Sequence, residues 1–161
     1  MEKTEIVMNG IKLALAGFGA WLSAKLGILG PVLLALLIAM VIDYVSGMLA
    51  AWLNGELSSK KGVRGILKKL AYIFAVVAAM LLDWLILTLA AQFGAELPVT
   101  TFFGLLVTIW FVLNEILSIL ENLGRLGVTI PEFLKKAVAT LKGFVEKQGD
   151  NQSDHPKDEK E

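Results

Sequence analysis

Three long apolar stretches dominate the pattern of hydrophobic and polar positions along the chain. They cover about residues 31–53, 70–91 and 99–120, and they are separated by short polar connections. A hydrocarbon core of about 30 Å requires roughly 20 apolar helical residues, because a helix satisfies its own backbone hydrogen bonds in lipid. The pattern therefore predicts an all-α membrane protein with three transmembrane helices within residues 28–123.

Residues 1–27 form a further helical segment of mixed character. Residues 6–24 are numerous enough to span a membrane, but Asn9, Lys12 and Ser23 fall on one helical stripe opposite Ile11 and Leu15. This pattern is typical of an amphipathic helix in the membrane interface. It equally fits a fourth span whose polar stripe faces other helices or water, and both alternatives stay open.

The distribution of basic residues predicts the orientation in the membrane. The connection 54–69 is a basic loop containing Lys60, Lys61, Arg64, Lys68 and Lys69, whereas the connection 92–98 contains no Lys or Arg. Basic loops are retained in the cytoplasm. The third span is followed by Arg125, Lys135 and Lys136 on the same side. We therefore expect a multi-pass protein of the bacterial cytoplasmic membrane with a cytoplasmic C-terminus.

The C-terminal part divides into an amphipathic helix and a charged tail. In residues 124–147, a capping-box sequence at 129–132 precedes an apolar face formed by Leu134, Val138, Leu141 and Val145. Such a helix suits either an anionic leaflet or a partner helix. Residues 148–161 contain no apolar side chain, so we expect a disordered tail.

Composition excludes several classes of function. Hydrophobic residues make up 56% of the chain and charged residues 19%, with no Cys, a single His and a formal net charge of zero. These numbers remove disulfides, thiolate chemistry and His-pair or Cys-based metal sites, and no basic field favours nucleic acid. We expect no enzyme activity, no cofactor and no metal; the expected partners are the lipid bilayer and further copies of the chain.

Each predicted span contains one carboxylate, namely Asp43, Asp83 or Glu115. Small residues, which allow helices to approach closely, share helical rows with the two aspartates: Ala35, Ala39 and Gly47 with Asp43, and Ala71, Ala75 and Ala79 with Asp83. Glu115 shares a stripe with Gly104, Thr108, Ser118 and Asn122. The acids are hydrogen-bonded links within a bundle, the lining of a water-filled lesion in an oligomer, or an ion-coupled transport site.

The segment around the first connection carries motifs at fixed spacing. An Asp-Tyr-x-x-Gly helix precedes a Leu-Ser-Ser loop with basic residues and glycines, and an aspartate stands late in the following span. The residues concerned are Asp43, Tyr44, Gly47, Leu57, Ser58, Ser59, Gly65, Lys68 and Asp83. Over about residues 33–83 the chain resembles a phage holin family that also includes holin-like proteins of large clostridial toxin secretion. The stretch after Gly127 has no such match.

The resemblance implies a small membrane protein that accumulates, oligomerises and opens the cytoplasmic membrane at a set time. A peptidoglycan hydrolase or a large toxin would leave the cell through the lesion. The alternative function is a small proton- or cation-coupled transporter or channel, in which Asp43 or Asp83 would relay the ion.

Overall fold

The computed structural model describes residues 2–97 and 101–153, which form five helices joined by short turns. The helices are α1 (Glu2–Leu26), α2 (Leu29–Leu53), α3 (Ser59–Gln92), α4 (Phe102–Arg125) and α5 (Glu132–Ser153). Within the described residues, α2, α3 and α4 are long and apolar enough to cross a membrane. The prediction of an all-α membrane protein with three spans is confirmed.

The predicted basic loop 54–69 is largely helical. The connection after α2 is only a short turn, in which Asn54 donates its side-chain amide to the Ala50 carbonyl oxygen at 2.9 Å and Gly55 adopts a φ of 67°. All five basic residues predicted in the loop lie on the first turns of α3. Lys and Arg are good helix formers, and the helix-weakening Gly62 and Gly65 lie against the Tyr44 side chain of α2. The prediction of a loop was therefore wrong, because contact with Tyr44 stabilises the helix more than the two glycines destabilise it.

Helix α4 lies at the centre of the fold and packs against α2, α3 and α5. Its Phe111 ring stacks on Tyr72 of α3 with the ring centroids 4.0 Å apart. Leu36 and Met40 of α2 and Val76 of α3 complete this buried cluster. Helices α2 and α4 run in the same direction, because Leu29 meets Gly104 near both starts and Gly47 meets Asn122 near both ends. Helix α3 runs in the opposite direction. Helix α1 contacts α2. It is not among the candidate spans, so its position relative to the membrane stays a prediction.

Helix α5 packs back along α4 within the same chain. Val138 and Val145 join a buried cluster with Leu113 and Leu120 of α4. The Trp110 indole donates a hydrogen bond to the Glu146 carboxylate at 2.9 Å. Two members of the expected apolar face, Leu134 and Leu141, remain accessible at 37% and 54%, which leaves part of that face uncovered.

The tail predicted to begin at residue 148 starts as helix. Helix α5 continues to Ser153, and a Cβ atom added at Gly149 would lie 3.3 Å from the Leu106 side chain of α4. Contact with α4 allows α5 to continue beyond the last apolar residue. The sequence pattern did not predict this continuation, because residues 148–161 contain no apolar side chain. Residues 154–161 of the expected tail lie outside the described residues.

Most of the surface of the three spans is not covered by the rest of the chain. In the most apolar windows of α2, α3 and α4, only 22%, 11% and 33% of residues are buried. Large side chains such as Val41, Phe74 and Leu81 are more than half exposed. A single chain therefore leaves this apolar surface to lipid or to other copies.

Candidate functional site

A charged network joins the three spans in the interior of the chain. The Lys69 ammonium of α3 donates a hydrogen bond to Asp43 Oδ2 of α2 at 2.9 Å and another to Glu115 Oε2 of α4. The Glu115 side chain is 3% exposed, and those of Lys69 and Asp43 are about 15% exposed. One ammonium group thus holds two carboxylates from two different helices.

Amide and hydroxyl groups complete the hydrogen bonding around Asp43. The Asn122 side-chain amide of α4 donates to Asp43 Oδ1 at 3.0 Å and lies 3.2 Å from Ser46 Oγ, which itself donates to the Asp43 carbonyl oxygen at 3.1 Å. Gly47 permits this approach, since a Cβ atom there would lie 3.3 Å from Asn122 Nδ2. Among the described residues, no buried side-chain nitrogen or oxygen is left without a hydrogen-bond partner.

The network lies well inside the bundle. At a rise of about 1.5 Å per residue, Asp43 lies roughly 21 Å from the start of α2 and roughly 15 Å from its end. Charged groups at such depth are stable only when they are paired, because lone charges in hydrocarbon cost several kcal/mol each. The network links α2, α3 and α4 while hiding their charges from lipid.

Asp83 does not belong to this network. Its Oδ1 accepts a hydrogen bond from the Phe103 backbone N–H at 2.9 Å, and its Oδ2 accepts one from the Gly104 N–H at 2.7 Å. The carboxylate of α3 therefore caps the N-terminus of α4, where free N–H groups and the helix dipole favour negative charge. About 21 Å separates Asp83 from Lys69 along α3. The two aspartates do not share one polar surface.

Gly104 is the residue that allows this cap. A Cβ atom at Gly104 would lie 3.0 Å from Met80 Cγ and 3.2 Å from Asp83 Oδ2, both on α3. Thr108, one turn later, is fully buried and donates to the Gly104 carbonyl oxygen at 2.6 Å. The stripe predicted for Glu115 is thus the face of α4 that meets α2 and α3.

The small residues predicted for helix packing divide into two groups. Ala39 and Ala79 are buried, Ala75 packs against the aromatic cluster, and Gly47 lies against Asn122. Ala35 is exposed among the described residues. Its helix-packing role stays a prediction for contact with a second copy.

Sequence reasoning placed Lys69 in a cytoplasmic loop and missed its role as the partner of both buried acids. A signal was present in the spacing. Counting back from Asp83 in alternating steps of four and three residues reaches the buried or half-buried Ala79, Val76 and Tyr72, and then Lys69. Lys69 therefore lies on the inward face of α3, whereas its neighbours Lys60 and Arg64 are exposed.

Loss of the Asp83 cap is expected to weaken the start of α4. Asp83→Ala removes both acceptors and should lower the free energy of unfolding by about 1–2 kcal/mol, whereas Asp83→Asn retains one acceptor oxygen and should lose less. Thermal unfolding of the purified chain in detergent, followed by circular dichroism, measures the difference. Glu96→Ala, at an exposed acid near the same end, is the matched control. Equal stability of Asp83→Ala and this control would contradict the capping role.

The fold and the network define a multi-pass membrane protein with charged groups enclosed between its spans. Residues 20–143 match the model of the Bacteriophage holin family, and the chain belongs to this family. The resemblance seen over residues 33–83 is thereby confirmed and extends into α5.

Relatives in several bacteria and a phage are similar to this chain in sequence. An uncharacterized protein of Listeria innocua is 35% identical over 92% of this chain and 96% of its own length. An uncharacterized protein of Halalkalibacterium halodurans is 38% identical over 70% of this chain and 79% of its own length. A probable holin of Bacillus phage phi105 is 29% identical over 60% of this chain and 63% of its own length. No solved structure matches the chain.

Proposed function

We propose that this chain acts as a holin by oligomerising in the cytoplasmic membrane and opening lesions that release a peptidoglycan hydrolase or a large toxin. The proposal rests on the charged network, which lies between spans whose outer surfaces are largely exposed in the single chain. Family membership supports the holin role. The protein would act without catalysis or cofactor.

In the proposed mechanism, contacts between copies of the chain replace contacts between helices within one chain. In the single chain, the part of the α4 stripe that contains Thr108 and Glu115 is buried against α2 and α3. Association of copies through the uncovered faces would let α4 turn this stripe towards a shared aqueous space. Water would then solvate the charges that Lys69 pairs in the closed chain. Three helices enclose too little space for a large cargo, so the lesion requires many copies.

We also propose that the basic start of α3 and the end of α4 face the cytoplasm. The expected cytoplasmic C-terminus stays a prediction, because α5 runs back along α4 and brings Gly149 beside Leu106, near the start of α4. The basic residues of α3 and those following α4 lie at the same end of the helix bundle, where Arg125 of α4 pairs with Glu56 beside the start of α3 at 3.1 Å. Positive charge at one end of the spans favours its retention inside.

Induced expression in a bacterial host tests the function. The chain is expressed with or without a peptidoglycan hydrolase that has no export signal, while membrane potential and culture density are recorded. The expected result is an interval of unaffected growth, then abrupt loss of potential, with lysis only when the hydrolase is present. Expression of the hydrolase alone is the control. Steady ion flux without release of the hydrolase would contradict the proposal and would favour the transporter alternative.

A further inference from the structure

A cavity of about 260 Å³ opens at the end of the bundle where α2 ends, α3 begins and α4 ends. Its floor is formed by Asp43, Lys69 and Asn122 of the charged network, and its mouth by Glu56, Lys61 and Arg125. Gly62 and Gly65 also line the cavity. Pockets for drug-sized ligands have volumes of about 300–1,000 Å³, so this cavity suits a smaller group.

The charges of the lining favour an anion. Asp43 and Glu115 already pair the charge of Lys69. The remaining charged side chains of the lining are three cations, Lys61, Lys68 and Arg125, and one carboxylate, Glu56. The N-terminus of α3 adds partial positive charge, because its first turn contains no acidic residue and the Ser58 side chain makes no capping hydrogen bond. Backbone and side chains together produce an excess of positive charge at the mouth.

Glu56 already shows how an anionic group is held at the mouth. Its Oε2 lies 3.1 Å from Arg125 Nη2 and 3.6 Å from Lys61 Nζ, and its side chain is 52% exposed. Arg125 and Lys61 are also accessible, at 45% and 68%. An exposed carboxylate between two cations contributes little to stability and is readily displaced. A phosphate offers more acceptor oxygens to the same two donors.

We propose that this cavity binds a phosphate group, with Lys61 and Arg125 as its ligands and with displacement of the Glu56 carboxylate. The apolar Met48, Ala51 and Leu57 in the same lining suit the phosphate of an anionic lipid headgroup, since acyl chains would continue along the uncovered apolar helices. Free inorganic phosphate offers the same chemistry to the cations. The site does not depend on lesion formation, so its test stands apart from that of the holin function.

Neighbouring basic residues provide a matched control for the test. Lys60 and Lys61 are adjacent and both exposed, but only Lys61 lines the cavity. Lys61→Gln and Lys60→Gln remove the same charge from the same turn and weaken general attraction to anionic membranes equally. Glu56→Gln removes the competing carboxylate, and Glu121→Gln removes an exposed acid of α4 that does not line the cavity.

The experiment measures retained lipid by native mass spectrometry. Purified full-length chain is extracted from vesicles of phosphatidylcholine alone or mixed with phosphatidylglycerol. The wild type and Lys60→Gln should retain phosphatidylglycerol, Lys61→Gln and Arg125→Gln should retain it about fivefold less, and Glu56→Gln should retain more than Glu121→Gln.

A second arm adds inorganic phosphate to the detergent-solubilised protein and measures thermal stability. Stabilisation by phosphate without retention of phosphatidylglycerol supports the site with free phosphate as its occupant. Equal retention by Lys61→Gln and Lys60→Gln, together with no stabilisation by phosphate, would overturn the proposal.

Discussion

Replacing Lys69 with methionine should destabilise the chain more than any other single loss of charge. The substitution leaves the Asp43 and Glu115 carboxylates in the interior without their shared cation. Removing one partner from a buried ionic group typically costs about 3–5 kcal/mol, because the remaining charge is neither solvated nor paired. We expect a lowered unfolding temperature in detergent and, under the proposed function, lysis earlier than with the wild type.

Two further variants test whether the effect of Lys69→Met comes from loss of the network or only from the change in net charge. Lys68→Met removes the adjacent lysine, whose ammonium lies 5.5 Å from the centre of the Tyr72 ring rather than between the two acids, and should lower stability much less than Lys69→Met. Combining Lys69→Met with Asp43→Asn and Glu115→Gln neutralises the whole network and should restore much of the lost stability. If Lys69→Met and Lys68→Met unfold at the same temperature and lyse at the same time, the network has no structural role.

Gly104→Val should be the second most damaging substitution. The added side chain meets Met80 and Asp83 at distances where a Cβ atom alone already lacks space. Overpacking of this kind costs about 1–3 kcal/mol, and displacement of Asp83 removes the cap of α4 in addition. We expect a lowered unfolding temperature, with loss of helix signal at the start of α4.

Gly124→Val is the matched control on the same helix. A Cβ atom at Gly124 contacts nothing within 4 Å, so the same change in helix propensity occurs there without a clash. Thermal unfolding of both variants in detergent gives the comparison. Equal stability of the two variants would show that α3 and α4 do not approach closely at Gly104.

The spans could be predicted because membrane insertion depends mainly on local composition. Helix α2 ends at Leu53 as expected, and α4 begins within three residues of the expected start. The start of α3 was not predicted, because glycines and lysines between residues 59 and 69 are typical of a loop. Their helical conformation depends on contact with Tyr44, which belongs to another helix.

The site could be predicted only in part, for the same reason. Apolar surroundings marked Asp43, Asp83 and Glu115 as unusual, and the stripe of α4 correctly grouped Glu115 with Asn122. The different roles of the two aspartates follow from which part of α4 each one meets. Asp83 meets free backbone N–H groups and Asp43 meets side chains. The spacing of residues along the chain does not show how α2 and α3 align with α4.

The proposed mechanism requires that water reaches the buried stripe of α4 when the membrane opens. The chain contains no cysteine, so Thr108→Cys introduces a single thiol at a position with 0% exposure. Leu113→Cys is the control, because Leu113 is buried against α5 on a different face of α4. Both variants are expressed in cells and treated with a membrane-impermeant thiol reagent before and after release of cytoplasmic contents, and in inverted vesicles.

Thiols react as thiolates and therefore only where water reaches them. We predict that Thr108→Cys is unlabelled from either side of the closed membrane and becomes labelled when the membrane opens. Leu113→Cys should stay unlabelled throughout. Thr108→Cys that stays unlabelled in cells with open lesions would contradict the exposure of this stripe to water.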